Sequence, residues 1–308
     1  MGTGRVPVVN GRLCFFQQLA IANRPLTNSG PDATAGPVTP DIQRRLFMTS
    51  SRRPRLRTVA LVVIGLLMML SYTVVFARQI RCQLVEYTQL RHSSERIYVD
   101  PAMPDADVRR LDSMLGVARD RDIRFLGALQ AVPTILAGHD SSVIEDFGQQ
   151  GNRYAATHVH LGNAFIVLGP DGLQVDVIAH EMVHAELAAR IGWFDRERLV
   201  PAWFDEGLAM QVDRREDFSE QVWLRERATG RATVPLEELS SGSDFGAEDG
   251  WWRFTVARHE VARWLAIVGR DGLDELLRRI DNGAGFLQAY RAIEAGHVDS
   301  NRREVPTP

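Results

Sequence analysis

Lysine is missing altogether: the 36 basic residues are all Arg. We read that as a bias in codon usage rather than as a functional feature. Cysteine is nearly missing too, with only Cys14 and Cys82. Two thiols exclude a disulfide-stapled scaffold and a zinc ribbon built on cysteine. No internal repeat is visible. Most of the chain also lacks the basic balance that nucleic-acid binders show, since residues 78–308 set 27 Arg against 37 acids, and no nucleic-acid partner is expected. Hydrophobic residues at 45% and charged residues at 24% are ordinary. They exclude a wholly disordered, collagen-like or many-spanning chain. A length of 308 residues allows one large domain or two small ones.

There is one long apolar run. Thr58 to Ala77 reads TVALVVIGLLMMLSYTVVFA, without a charge. As a helix it spans roughly 30 Å, the thickness of a bilayer's hydrocarbon. Residues 1–57 carry nine Arg and two Asp, whereas only Arg78 and Arg81 follow the run closely. The positive-inside rule then predicts a cytoplasmic N-terminus, a bilayer contact through residues 58–77 and an outer domain beyond Arg78. Val75-Phe76-Ala77 would also serve as a signal cleavage site. The run is longer than a signal peptide's apolar region, which favours a retained anchor. Residues 1–47 lack periodicity, and their polar stretch Asn23 to Pro40 holds Pro and Gly, so the tail up to residue 57 reads as basic and disordered. Met48 opens a well-formed basic leader, MTSSRRPRLRT. We expect translation to start there, which N-terminal sequencing tests.

Beyond a juxtamembrane segment, 78–96, the pattern is mixed α and β. Strands are predicted at Ile97 to Val99, Val132 to Leu136 and Ala164 to Leu168. A helix from about Asp105 aligns Val108, Leu111, Leu115 and Ala118 on one face. Further helices are predicted at 175–190, 201–214, 217–228, 251–268, 272–281 and 284–294. Ser240 to Gly246 reads as a mobile loop and residues 296–308 as a disordered tail.

The chemistry concentrates in His180-Glu181-Met182-Val183-His184. On a helix, positions i and i+4 lie about 40° apart and roughly 6 Å along the axis, so both imidazoles can converge on one metal ion. Glu181 lies between them in angle, placed to take a proton from water at the metal. The surrounding Val177, Ile178, Ala179, Val183 and Leu187 make the helix apolar, a costly setting for three polar side chains unless they are paired or metal-bound. A catalytic zinc site needs a third protein ligand. Gly192 supplies a stop, Pro201 opens a second helix, and Glu206 sits there among Trp203, Phe204, Leu208 and Ala209. Gly207 would let two helix backbones approach closely. Asp205, about 100° around the helix from Glu206, and Glu186 and Glu197, which lack an apolar setting, are the competitors.

HEMVHAEL, followed 22 residues after its second His by the Glu of PAWFDEGLA, resembles the gluzincin metallopeptidases, and more narrowly the bacterial peptidase MA-like group. Likeness extends over about residues 97–292, in an expected peptidase domain of 97–295, although only these two words are specific. A metzincin would need Gly in place of Leu187 and His in place of Arg190. The resemblance implies a zincin-like α+β fold, with a small sheet and the metal helix in an upper lobe and a helical lower lobe. It implies one Zn2+ held by His180, His184 and Glu206, with Glu181 as general base, and a peptide or protein substrate. It puts Phe165 to Leu168 in the edge strand above the metal. With the anchor, it locates the chain in a bacterial inner membrane, its catalytic domain outside the cytoplasm.

The family also wants an oxyanion donor from a later helix, for which His259 is the candidate and Tyr290 a weaker one. It often places an acid four residues after the Glu ligand, where Met210 stands here; Asp213 or Asp176 would have to orient the first His instead. His158 and His160 share a strand face without a carboxylate cluster, and stay outside the site. Cys82 reads as an inert lone thiol, and Trp203, Trp251 and Trp252 as core. An inactive envelope scaffold with a structural zinc is the main alternative, against which Glu181 speaks, because a closed structural site needs no base. An intramembrane protease and a metal-free binding module are the others.

Overall fold

The fold is a computed structural model, which describes residues 53–148, 154–245 and 250–304. The expectations for residues 1–47, for a start at Met48, for Gly246 and for residues 305–308 lie outside them. The chain divides into two units, one ending at Ile80 and the other beginning at Arg81. The first contains α1 (Arg53–Val75). Its Thr58–Val75 stretch is long and apolar enough to cross a membrane, alone among the described residues, and none of it is buried.

Chain order then runs α2 (Ala77–Gln83), β1 (Arg91–Ser94), β2 (Ile97–Val99), α3 (Asp105–Leu126), β3 (Thr134–Ala137), α4 (Ser142–Phe147), β4 (Ala155–His160) and β5 (Asn163–Leu168). Helices take over after that: α5 (Val175–Ile191), α6 (Trp193–Leu199), α7 (Ala202–Ala209), α8 (Glu220–Ala228), α9 (Gly242–Phe245), α10 (Trp251–Asp281) and α11 (Phe286–Glu304). The class is α+β, with one small mixed sheet.

Sheet order is β1-β2-β3-β5-β4, with β2, β3 and β5 parallel and the two outer strands antiparallel. Alternation along the strands sends Val99, Ile135, Ala137, Ile166 and Leu168 into the main core, which continues through the helical part to Ile293. Tyr98, Leu136, Phe165 and Val167 point the other way, onto Cys82, Val85, Val143 and Phe147. In α3 the expected face holds, with Val108, Leu111 and Ala118 buried.

Four expectations need correction. The strand beside the open edge is β4, not Ala164 to Leu168. Phe165, Ile166, Val167 and Leu168 are all buried, the mark of an interior strand, and a two-residue turn folds β4 back along it. The second unit takes in Arg81 onward, well before residue 97, because Cys82 and Val85 fill the second core and β1 pairs with β2. Within Ser240 to Gly246, α9 is helical and Phe245 is fully buried against Phe254 at 5.0 Å, with Asp244 accepting from Ser241 N. Helix α11 also continues to Glu304 where a disordered tail is expected; the lone Gly296 does not stop it.

Candidate metal centre

Helix α5 packs against β4 with the first metal word on its buried face: His180, Glu181 and His184 are all buried. Helix α7 reaches them because of two local features. Pro201 stands at its N-cap, with φ −68° and ψ 147°, and its carbonyl accepts from Phe204 N and Asp205 N as the helix starts. Gly207 lets α7 settle onto α10, since a Cβ there would stand 2.5 Å from Ala257 O and 2.6 Å from Val261 Cγ2. The close approach expected of Gly207 is therefore real. It sets the neighbouring Glu206, 1% exposed, against the two imidazoles.

Three ligand atoms form a triangle. His180 Nε2 and His184 Nε2 are 3.1 Å apart, and Glu206 Oε2 lies 3.3 Å from the first and 3.5 Å from the second. Four ligands around a tetrahedral ion with bonds of ~2.0–2.1 Å stand ~3.3–3.4 Å from one another. These three buried side chains are thus placed to hold one metal ion, and they are the group of this kind among the described residues.

The surroundings prepare each ligand. Asp205, read as pointing away from Glu206, does so, and that is how it works. Its Oδ1 accepts from His184 Nδ1 at 2.7 Å, while Oδ2 takes the buried Arg196 guanidinium at 2.6 Å. This fixes the His184 tautomer, leaving Nε2 as the lone pair facing the triangle. Burial pulls the His184 pKa down to about 3, in keeping with a neutral ring. On the other ring, His180 Nδ1 makes no hydrogen bond and faces Asp213 Oδ2 at 3.7 Å. Of the two acids proposed to orient His180, Asp213 is therefore the nearer in role. Asp176 is taken by Arg121 at 2.5 Å. Burial opposes the charge on Glu206, but the carboxyl is held well below its usual range, with His180, whose own pKa is raised beside it, as the partner able to carry the proton.

Glu181 accepts from Thr157 Oγ1 of β4 at 2.7 Å. Burial pushes its pKa up, opposed by His180 and by the hydrogen bond from Thr157. Arg215 adds a further opposing charge. Its guanidinium is clamped by Asp213 at 2.5–3.0 Å and lies over the Phe218 ring at 4.8 Å.

His259 is not brought to the triangle. Its ring stacks on Trp223 at 3.5 Å, between α8 and α10, and burial lowers its pKa against the charges of Glu220 and Glu260. Tyr290 donates to Glu260 at 3.0 Å and stacks on Trp264. Neither expected oxyanion donor has a contact with the three ligands, because an apolar helix surface claimed both rings. His158 bonds Phe147 O and His160 packs near Trp193, so that pair does not converge. Trp203 and Trp252 are core, as expected. Sequence reasoning missed Thr157, which meets Glu181 from another element, and also Arg196 and Arg215, whose partners Asp205 and Asp213 lie close in the chain but are paired with them only by the turns between.

Comparison with family models gives no match, and comparison with curated proteins gives none.

Proposed function

We propose that this chain is a membrane-anchored zinc metallopeptidase of the gluzincin type, with a zincin-like outer domain. The observation that carries the reading is the buried triangle of His180, His184 and Glu206, with Glu181 on the same helix and held by the edge strand. Two imidazoles and a carboxylate at this spacing suit zinc, with one coordination position left open. When bound, the ion supplies Lewis acidity towards a carbonyl and makes water acidic near pH 7.

The chain's own residues do the rest. Glu181 takes the proton from the attacking water and delivers it to the amine that leaves as the C–N bond breaks. Asp205 and Arg196 hold the His184 ring in register. Arg215, rather than His259, supplies the positive charge for the developing oxyanion. The peptide substrate lies along the free edge of β4. Because the two-residue turn closes on the His160–Asn163 pair, the backbone groups of Thr157 and Val159 face outward for strand addition. Thr58–Val75 anchors the chain in the inner membrane of a bacterium, the N-terminal Arg residues inside and the catalytic domain outside.

Digestion of a peptide library by the full chain tests this. Cleavage should vanish with chelator, return with zinc, and fall about 10²–10⁴-fold in Glu181→Gln with zinc still bound. A Glu181→Gln protein that keeps zinc and full biological effect would instead make the site structural.

A further inference from the structure

Large apolar side chains stand in solvent around one end of the β4–β5 hairpin. Leu161 at its tip is 67% exposed and Phe194 at the start of α6 is 56% exposed. Leu84 and Tyr87, just past α2, are 49% and 85% exposed. Contacts gather them. Gln83 donates to His160 O at 3.0 Å and accepts from Asn163 Nδ2 at 3.3 Å, which sets the turn residues Leu161 and Gly162 beside residue 83. The His160 ring lies 6.3 Å from that of Trp193, which meets Phe194 edge to face at 5.9 Å. Apolar residues exposed singly are normal, but an assembled group of them marks a contact surface.

Leu161 adds a second observation. Its φ is +51°, among the described residues the one positive value outside glycine. Such a turn favours Asn or Gly at that position, and a leucine there costs conformational energy to hold an apolar side chain out in solvent.

Connectivity says what covers this surface. The uncharged run ends at Ala77, and Gln83 follows six residues later, a reach of at most ~21 Å even fully extended. Trp, Tyr, Phe and Leu kept so near a bilayer have the composition of an interfacial contact. Headgroup charge is not the attraction. Within α6, Asp195 and Glu197 balance Arg196 and Arg198, and Arg198 is engaged over Phe194 at 5.8 Å and with Asp195 at 3.1 Å.

We propose that this face docks on lipid: Leu161, Trp193 and Phe194, with Leu84 and Tyr87, seat in the headgroup–acyl boundary of the membrane that holds the anchor. The inference rests on the membrane reading of residues 58–77 and on no catalytic role. Its consequence is positional. Leu161 tips the hairpin whose Thr157 holds Glu181, so docking fixes the height of the site above the lipid and favours substrate segments close to the membrane.

The test is depth quenching of the full chain in phosphatidylcholine nanodiscs brominated at a shallow acyl position. Trp203, Trp223, Trp252 and Trp264 are buried, Trp251 and Trp193 half-buried. Shallow bromine should quench part of the emission, with or without chelator. Trp193→Phe should abolish that part, Phe194→Ser should cut it at least twofold, and added anionic lipid should leave it unchanged. Quenching of full size in Trp193→Phe, or none in discs that retain the chain, overturns the proposal. So does a dimer or complex that Phe194→Ser dissociates without any change in quenching. Alkaline carbonate extraction separates the premise: a chain that washes off membranes refutes the anchor itself, whereas one that stays without being quenched refutes only the docking.

Discussion

Asp205 and His184 are joined by a 2.7 Å hydrogen bond at Nδ1, while Glu206, next to Asp205 in the chain, presents its carboxylate to Nε2 of the same ring. Two adjacent acids on α7 thus address opposite sides of one imidazole. Asp205→Ala should weaken zinc binding by about 10–100-fold, the cost typical of removing such a support. It also removes the 2.6 Å carboxylate partner of the buried Arg196 guanidinium. Chelator competition reads the affinity; an unchanged value would mean that Asp205 serves packing alone.

Gly207→Ala should act on stability and metal together. The added methyl meets a backbone carbonyl of α10, which cannot move aside as a side chain would. Overpacking of this kind costs ~1–3 kcal/mol, which lowers the melting temperature by several degrees. Because α7 must shift away from α10, zinc affinity should fall in the same variant. A melt and a zinc titration check both.

Asp122 gives the stability a pH dependence of unusual sign. Fully buried on α3, neither of its oxygens has a hydrogen-bond partner, and burial pushes its pKa up to about 8 against the charges of Arg121 and His180. The folded chain keeps this proton where the unfolded one, near ~3.9, has lost it. Its contribution is therefore favourable below the unfolded value, declines as pH rises from ~4 to about 8, and is level above that. Asp122→Asn should stabilise the metal-free protein by up to a few kcal/mol at pH 8 and leave it unchanged at pH 4. Thermal melts at the two pH values decide; equal shifts at both would contradict the assignment. Zinc should shrink the gain, since a nearby cation favours the ionised carboxylate.

Cys82 should be inert while the chain is folded. It is completely buried and its pKa is pushed up to about 12 by burial. Thiolate is the reactive form, so maleimide should label Cys82 only after denaturation, as peptide mapping by mass spectrometry would show. Labelling under native conditions would indicate that α2 opens.

What the sequence makes legible here is what is local. His180, Glu181 and His184 share one helix, and i, i+4 geometry alone brings them together. Glu206 is readable as an acid among apolar neighbours, and Gly207 as a point of close approach. Gly269 is readable as a break: at φ +64° it divides α10 where two separate helices are predicted. Supports from distant segments are not legible. Asp205 has the right helical angle to be dismissed as a ligand, and only the course of α5 against α7 turns that angle towards His184. The order of β4 and β5 depends on which strand β3 accepts, and a run of apolar residues says that a strand is interior without naming its neighbours. His259 shows the converse, a plausible residue type whose ring is claimed by Trp223.

Metal content puts the central claim to its shortest test. Elemental analysis of the full chain, purified without chelator, should find close to one zinc per chain, and His180→Ala combined with Glu206→Ala should reduce it to background while the fold survives by circular dichroism. A wild-type protein with no near-stoichiometric metal, or a folded double variant that retains it, would contradict the account.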